Sequence, residues 1–435
     1  MLNSRNRRSH SRVLLGSLSA VMIVGVAANG AIAATPAPKP ATGTNNASCA
    51  PQPGVTPTTI NFGFISPRTG AAASNFVAGQ EAAALRFAQE NAKGGVNGRK
   101  IIMKAYDDGS NASTQVAVAQ QAVQADNNFA LGSDTSTVSM YPFLKDANIP
   151  IFGFTNQAFQ TDRNAMSPVG VPSPPGIGSL LILQKLKALG VTKIAVINHA
   201  TAGAAASGNT QSGQVTAGLI PGLTQSLRIA DEPQGTHDAT STALRIKNSG
   251  TDGASVIGFT DGAVSISQAL KQQGVNLKAV YYGSITDPAV LNTTNGALDG
   301  AWGNNNGTVP LSLSSIPAVR TYVNGMKAAG QNAYAAFGTV GYLDADLFIQ
   351  GLKMVGKCPT RQGLIDAVRS IKDFKGAGLL PEKIDFTPGL TPNGNPPSCI
   401  WFVQVSGKTT VPDKAPTCGA TYVDLTGKVV YQGHN

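Results

Sequence analysis

The chain has 435 residues, of which 13% are charged and 6% are aromatic, and its formal net charge is +10. Dense Lys/Arg runs are absent and aromatic residues are few, so the composition gives no support to nucleic-acid binding, and we expect no nucleic-acid partner. The length exceeds what one hydrophobic core usually organises, which argues against a single small domain and predicts two lobes.

The first segment is predicted to be an export signal. Four arginines, the last of them Arg12, precede an apolar run from Val13 to Ala28, and Ala31-Ile32-Ala33 supplies the small residues that a signal peptidase recognises. We therefore predict a signal peptide over 1–33, the general secretory route with twin-arginine export through Arg7-Arg8 as an alternative, and a secreted or cell-surface protein. A membrane anchor is the rival interpretation, but the run is short of the ~20 residues that a span needs.

A proline-rich, extended leader is predicted over 34–55, and Cys49 within it lies too far from the apolar run to be a good lipidation site. The four cysteines, Cys49, Cys358, Cys399 and Cys418, form an even set in an exported chain and predict two disulfides. We expect Cys358 to pair with Cys399 and Cys49 with Cys418, because the second bond would hold the proline-rich start. A metal site is the alternative, but CxxC spacing is absent and the four histidines are scattered, so we expect neither metal nor cofactor.

A β-α-β unit follows the leader. The alternating apolar run Ile60 to Ile65 predicts a buried strand, and apolar residues at helical spacing predict a helix from Asn75 to Ala92, which Gly94-Gly95 ends. A second strand is predicted over Ile101 to Tyr106. Such a connection makes the two strands parallel, with a right-handed crossover.

The same stretch resembles the opening of the type I periplasmic solute-binding proteins, the family typified by leucine/isoleucine/valine receptors. The resemblance rests on the Thr69-Gly70 turn after the first strand, the helix end N-A-K-G-G-V-N-G-R-K, and Asp107-Asp108 after the second strand. It continues to about Val405. It implies a substrate-binding component of an ABC transporter, with a small-molecule ligand and a membrane ABC permease as partners.

Helices and strands continue to alternate, with a Pro/Gly-rich interruption over 167–178. Further strands are predicted over 129–131, 150–154, 193–198, 254–259, 278–283 and 400–405. Further helices are predicted over 113–125, 137–147, up to 189, 239–247, 264–273, 317–329 and 337–355. This alternation is typical of doubly wound α/β folds, so we predict an α/β protein of two Rossmann-like lobes.

The resemblance implies how the chain is divided between these lobes. A three-strand hinge would join lobe one, 56–170 with 300–384, to lobe two, 171–299 with 385–435. The ligand would lie in the cleft, and the lobes would close over it. Open α/β sheets in general bind ligands beyond the carboxyl ends of their strands.

Polar residues at these strand ends are the candidate ligand contacts, since hydroxyls and amides can hold a carboxylate or a carbonyl. The candidates are Arg68, Thr69, Ser133, Asp134, Thr135, Ser136, Thr155, Asn156 and Gln157 in lobe one, and His199, Asp261 and Ser284 in lobe two. Helix capping is the alternative role, because Ser, Thr and Asp are common at helix starts.

Lobe two departs from the pattern of amino-acid receptors. Ala202-Gly203 stands where those receptors have Tyr-Gly, and Gly262 or Ala263 stands where they place a carboxylate for the ligand ammonium. Asp261 is adjacent and could take that role with a shifted loop. An unpaired, desolvated ammonium would cost several kcal/mol, so the sequence does not favour an α-amino acid ligand.

Motifs for catalysis are absent: the chain has no G-x-S-x-G, no H-E-x-x-H and no G-x-x-x-x-G-K-[ST], and we predict that it is not an enzyme. The function predicted is that of a monomeric solute-binding protein for a small polar or anionic solute of the branched-chain amino acid, amide or carboxylate class. Two alternatives stay open, namely a ligand sensor of the same fold and a cell-surface protein that has lost its ligand.

Overall fold

The structure is a computed structural model and describes residues 49–154 and 156–434. The first of two parallel sheets lies near the start of this part of the chain. The predicted signal peptide, residues 34–48 of the leader and Thr155 lie outside the described residues. The strands of this sheet are β1 (Thr59–Ser66), β2 (Lys100–Asp107), β3 (Ala130–Ser133), β4 (Ile151–Gly153) and β5 (Ala165–Met166). They are all parallel and lie in the order β2-β1-β3-β4-β5.

The helices between these strands confirm the predicted alternation. They are α1 (Ala73–Ala92), α2 (Ala112–Gln120), α3 (Tyr141–Asp146) and α4 (Ala158–Thr161), with a π-helical turn, Gln121–Ala125, extending α2. The β1–α1–β2 unit is parallel as predicted, with Thr59 opposite Lys100. The side chains of Ile60, Phe62 and Phe64 are buried, which explains the alternating apolar pattern.

The second sheet follows a short strand, β6 (Gly178–Ser179), and helix α5 (Leu181–Ala188). Its strands are β7 (Lys193–His199), β8 (Thr224–Glu232), β9 (Gly253–Ile257), β10 (Ala279–Ser284), β11 (Trp302–Asn304), β12 (Val403–Ser406) and β13 (Thr409–Pro412). The order is β13-β12-β11-β10-β9-β7-β8, with β7 to β11 parallel and β12 and β13 antiparallel at one edge. Helices α6 (Ala202–Thr216), α7 (Thr240–Asn248), α8 (Thr260–Gln272) and α9 (Pro288–Thr293) connect its parallel strands.

The chain then returns to the first sheet. Helices α10 (Pro317–Ala328), α11 (Gly338–Val355) and α12 (Arg361–Arg369) follow, and a 3-10 turn, Gly376–Gly378, comes next. Helix α11 packs closely on α1, where a Cβ atom on Gly341 would lie 2.1 Å from the carbonyl oxygen of Gly79, so only glycine fits. Side chains of β1, α1, α11 and α12 share one core.

We call the elements on the first sheet lobe one and those on the second sheet lobe two. A separate core joins β7, β9, β10, α7 and α8 in lobe two. The chain passes between these cores after β5, after β11 and before β12, as the family resemblance implies. The structure confirms the α/β class with two parallel sheets, while the exact lobe boundaries stay predictions.

Two strands near the carboxyl terminus form a third, small sheet. β14 (Thr421–Val423) pairs antiparallel with β15 (Val429–Gln432) and with β6, so Tyr422 lies opposite Ser179. This sheet was not predicted. The prediction also omitted further elements: α4, β5, α6, β8, α9, β11, α12 and β13. Helix α6 is difficult to recognise because its sequence, rich in Ala, Gly, Ser, Thr and Gln, contains only one larger apolar side chain, Val215.

The predicted disulfide pairing is wrong. The bonds are Cys49–Cys358 and Cys399–Cys418, with Cα atoms 5.2 Å and 4.0 Å apart. Arg99 explains the first bond, because it donates to the carbonyl oxygens of both Thr56 and Lys357 and so fixes the leader end beside α11. The bridge between Ile400 and Thr417 is antiparallel and brings Cys399 opposite Cys418.

Candidate ligand-binding cleft

A cavity of about 460 Å³ lies where the carboxyl ends of the two parallel sheets face each other. The loops after β3, β4, β9 and β11, the end of β10 and the start of α6 reach it, in agreement with the general position of ligand sites in open α/β sheets. Among the described residues, its wall contains no Asp, Glu, Lys, Arg or His. Any charged group of a ligand would therefore lack an oppositely charged side chain.

The wall is mainly apolar. Its larger apolar and aromatic members are Val138, Phe154, Val169, Val171, Ile177, Ile182, Val256, Ile257, Phe259, Tyr281, Phe337, Ile400 and Tyr422. Sequence reasoning missed these residues because it searched the strand-end loops for polar side chains. An apolar wall with a few polar groups is the usual composition of small-molecule sites.

Five predicted contacts line this cavity: Thr135, Ser136, Asn156, Gln157 and Ser284. The Thr135 hydroxyl already donates to Asp108 at 2.7 Å, whereas the Ser136 hydroxyl accepts a hydrogen bond from Gln234 at 3.2 Å and keeps its own proton to donate. The side-chain oxygen of Asn156 accepts a hydrogen bond from the backbone N–H of Ala158, so the amide NH₂ of Asn156 can donate to another group. Ser136 and Asn156 can therefore donate hydrogen bonds to a ligand oxygen.

Arg68 and Thr69 do not line the cavity. The Arg68 guanidinium binds Gln80 at 2.7 Å and Glu81 at 3.3 Å, and the Thr69 hydroxyl donates to Asp107 at 2.8 Å. The two side chains thus fix the loop after β1 and are directed to other protein groups.

Ser133 and Asp134 do not line the cavity and are fully buried. One Asp134 oxygen accepts from the backbone N–H of Phe154 at 3.1 Å, and the other has no partner among the described residues. Asp344 of α11 is also fully buried, and neither of its carboxylate oxygens has a hydrogen-bond partner in the described part of the chain. Burial raises the pKa of Asp134 to about 8, and burial together with the charge of Asp134 holds the pKa of Asp344 well above its ordinary value.

His199 is likewise buried beside the cleft and does not line it. Its Nδ1 accepts from the backbone N–H of Phe259 at 3.1 Å, and a Cβ on Gly258 or Gly262 would lie within 2.3 Å of its ring. Burial, with a smaller contribution from nearby His237, lowers the pKa of His199 to about 4. The imidazole is therefore neutral at pH 7, and glycine at position 262 makes room for it.

Asp261, the candidate partner for a ligand ammonium, is directed to the other lobe. Its carboxylate accepts a hydrogen bond from the Ser74 hydroxyl of α1, and it does not line the cavity. Thr260 beside it donates through its backbone N–H to the Asn75 side chain at 3.2 Å. These bonds connect the lobes, so Asp261 stabilises the contact between the lobes in this conformation.

Further hydrogen bonds join the lobes. Gln234, in the loop after β8, donates to Ser136 of lobe one, and Asn332 donates to Asp287 at 2.7 Å. The lobes are thus in direct contact around the cavity. No group of three or more His, Cys, Asp or Glu residues within 49–154 and 156–434 is arranged to hold a metal ion.

Comparison with known proteins agrees with this architecture. A family model described as periplasmic binding protein matches residues 59–410. No curated protein matches the sequence. Within the described residues, no helix is both long and apolar enough to cross a bilayer.

Several solved structures share the fold at low sequence identity. A fatty acid ABC transporter substrate-binding protein from Thermomonospora curvata has a TM-score of 0.70 at 19% identity, over 89% of this chain and 98% of that one. A branched-chain amino acid ABC transporter from Thermus thermophilus with bound valine has a TM-score of 0.69 at 15% identity, over 83% and 97%.

A third similar structure is an ABC transporter solute-binding protein from R. palustris in complex with benzoate. Its TM-score is 0.68 at 18% identity, over 85% of this chain and 99% of that one. The family match over residues 59–410, together with two parallel sheets that face each other across a cavity, establishes that the chain belongs to the periplasmic binding protein family, type I.

Proposed function

We propose that this protein is an extracytoplasmic solute-binding protein that captures a small molecule between its lobes and delivers it to a membrane ABC permease. The observation that carries the proposal is the 460 Å³ cavity at the carboxyl ends of both sheets, in a chain of the periplasmic binding protein family. Cavities of about 300–1,000 Å³ are typical of small-molecule sites.

The uncharged wall narrows the class of solute. An α-amino acid would bring an ammonium group to a site without a carboxylate, at a cost of several kcal/mol. Ser136 and Asn156 can donate to a carbonyl or a carboxylate oxygen, and most of the remaining wall is apolar. We therefore propose a ligand with a hydrogen-bond-accepting head group and an apolar body. The names of two similar structures mention such molecules, a fatty acid and benzoate.

Capture is proposed to work by hinge closure. A ligand that contacts both lobes binds the closed state more tightly than the open one and shifts the population toward it. The hydrogen bonds from Gln234 to Ser136 and from Thr260 to Asn75 support a closed state in which both lobes contribute to the wall. The lobes are proposed to comprise 56–170 with 300–384, and 171–299 with 385–435, except that β11 belongs to lobe two by its place in the second sheet.

The protein is further proposed to act without catalysis, as a monomer outside the cytoplasm. Members of its family are binding proteins, and a cavity wall without His, Asp or Glu among the described residues supplies no general base. The predicted signal peptide supports export, and delivery of a solute to a permease requires that location.

The test is a thermal-shift screen of residues 34–435, with disulfides oxidised, against amino acids, amides, straight-chain carboxylates, aromatic acids and sugars. A ligand at a hundred times its Kd stabilises the native state by about 2.7 kcal/mol, which raises the melting temperature measurably. Carboxylates or amides are expected to give the shift. A library that leaves the melting temperature unchanged would instead favour a cell-surface protein that has lost its ligand.

A matched pair of variants locates the binding site. Ser136→Ala removes a hydroxyl on the cavity wall and is expected to weaken binding about tenfold or less, since one hydrogen bond contributes about 0.5–1.5 kcal/mol. Ser133→Ala removes a hydroxyl at the end of β3, three residues before Ser136, that is buried and does not line the cavity, and binding should be unchanged. Equal effects of the two substitutions on Kd would contradict the proposed site.

A further inference from the structure

The cavity continues from the cleft along helix α6 into lobe two. Ala204, Ser207, Gln211 and Gln214 all line it, and their spacing of three and four residues places them on one face of the helix. A rise of 1.5 Å per residue puts Ala204 and Gln214 about 15 Å apart along the helix axis. The cavity is therefore deeper than the cleft between the strand-end loops.

The far end of the cavity, which we call the inner end, is closed by the carboxyl-terminal segment. Tyr422 of β14 lines it, pairs with Ser179 of β6 and donates its hydroxyl proton to the carbonyl oxygen of Pro397 at 2.8 Å. Gln214 donates to the carbonyl oxygen of Gly178 at 2.8 Å, which fixes α6 against β6. Tyr422 lies beyond residues 59–410, so this residue of the wall is outside the matched family region.

The inner end offers an apolar surface. Ile177, Ile182, Ile257 and Ile400 line it together with the rings of Tyr281 and Tyr422. Two polar groups there are already paired within the protein, since Thr210 donates to the carbonyl oxygen of Ala206 and Tyr422 to that of Pro397. The side-chain oxygen of Gln214 is buried and has no partner among the described residues. Apart from a donor that reaches this oxygen, a polar ligand group placed here would lose its water without gaining a partner, whereas methylene groups would gain by burial.

We infer that the inner end binds an extended apolar chain of the ligand while the head group lies at Ser136 and Asn156, so that the solute is a chain molecule with an oxygen-bearing head and no ammonium group. The inference rests on the proposed function and specifies its substrate class. The length of α6 along the cavity sets the chain length that the site accepts.

The test measures Kd by calorimetry for butanoate, hexanoate, octanoate and decanoate with the oxidised protein, residues 34–435. Affinity is expected to rise about fourfold per methylene until the inner end is filled. The zwitterion α-aminooctanoate differs from octanoate by one ammonium group and is expected to bind at least tenfold more weakly. A flat chain-length series, or equal binding of the zwitterion, would overturn the inference.

Blocking variants test the position of the chain. Ala206→Phe places a ring in the cavity partway along α6, and the gain in affinity from hexanoate to decanoate should disappear while butanoate keeps its Kd within about twofold. Ala205→Phe makes the same change on the same helix at a residue that does not line the cavity, and should keep the full series. Ser207→Phe, at an exposed position on the wall, replaces Ala206→Phe if that variant fails to fold.

The outcomes separate this inference from the proposed function. If short carboxylates or amides bind and chain length has no effect, the inference fails and the proposed function stands. If no member of the series and no amino acid, amide or sugar binds, the proposed function itself fails. An unchanged series in both blocking variants would place the chain outside the inner end and would overturn the inference.

Discussion

Phe337 of lobe one and Phe259 of lobe two face each other at the cleft, with ring centroids 6.1 Å apart and both rings on the cavity wall. Phe337 also lies 4.4 Å from Phe76 and 4.6 Å from Phe154, again between ring centroids, and so is central to a four-ring cluster. Its backbone φ of 62° is in the left-handed region, which bulky residues rarely adopt. Packing of the cluster thus stabilises a strained backbone at the point where the lobes meet.

Phe337→Ala is expected to lower the free energy of unfolding by about 3–5 kcal/mol, because it removes a buried aromatic side chain and leaves a cavity among three rings. Urea unfolding followed by circular dichroism measures the change. Phe337→Leu keeps most of the buried volume and should lose much less. A loss below about 1 kcal/mol for Phe337→Ala would contradict a central role of this ring.

Asp344→Asn is expected to stabilise the protein at pH 8 by about 1–3 kcal/mol, because it removes an unpaired buried carboxyl next to Asp134. In the native protein the pKa of Asp134 is about 8, against an ordinary value of 3.8. Between these pH values the native state binds a proton that the unfolded chain releases, so stability falls as pH rises, by up to about 1.4 kcal/mol per pH unit.

Stability measured from pH 4 to pH 9 checks this prediction, and the decrease should be weaker in Asp344→Asn. Asp346→Asn is the matched control, two residues along the same helix. Asp346 forms a buried ion pair with Arg86 at 2.9 Å, so its loss should destabilise by about 3–5 kcal/mol. Equal effects of the two substitutions would show that the unpaired state of Asp344 is unimportant.

His199→Asn is expected to reduce the acid sensitivity of the protein. The pKa of His199 is about 4 in the fold against an ordinary 6.5, so the unfolded chain binds a proton that the native state excludes. Stability therefore falls as pH is lowered from 6.5 toward 4, by up to about 1.4 kcal/mol per pH unit, and the Asn variant lacks this loss. Melting temperatures over this range measure it, and His434→Asn, at an exposed histidine, should behave as the native protein does.

The disulfide Cys399–Cys418 closes a segment of 19 residues, and the double substitution of both cysteines by serine should cost about 3 kcal/mol. Peptide mapping without reduction checks the pairing directly and should recover Cys49 linked to Cys358. A peptide that links Cys358 to Cys399 would contradict the structure.

Local patterns sufficed to predict the β1–α1–β2 unit and, of the strands that follow, β3, β4, β7, β9, β10 and β12. Ile60, Phe62 and Phe64 alternate because successive side chains of a strand point to opposite faces of the sheet, and these three lie in one buried core. Gly94-Gly95 ends α1 with positive φ values of 105° and 77°. These signals need only neighbouring residues. The family resemblance added the division between two lobes, which local pattern alone does not specify.

The cavity wall was predicted only in part. Ser136, Asn156 and Ser284 follow strands and were found for that reason, but the same rule selected Thr69 and Asp134, which bind other protein groups. No local signal distinguishes a hydroxyl that binds a ligand from one that caps or fixes a loop. Tyr422 reaches the wall through pairing with a strand more than two hundred residues earlier, and such long-range pairing leaves no local pattern.

The two ends of the cavity come from separate parts of the chain, Ser136 and Asn156 from the loops of lobe one and Pro397 and Tyr422 from the carboxyl-terminal segment. Substitutions in one of these segments can therefore occur without changing the contacts that the other segment makes with the ligand. A protein engineer could exchange residues 396–422 between relatives to alter the accepted length while the head-group contacts stay as they are. Members of the family can therefore come to accept ligands of different length one substitution at a time.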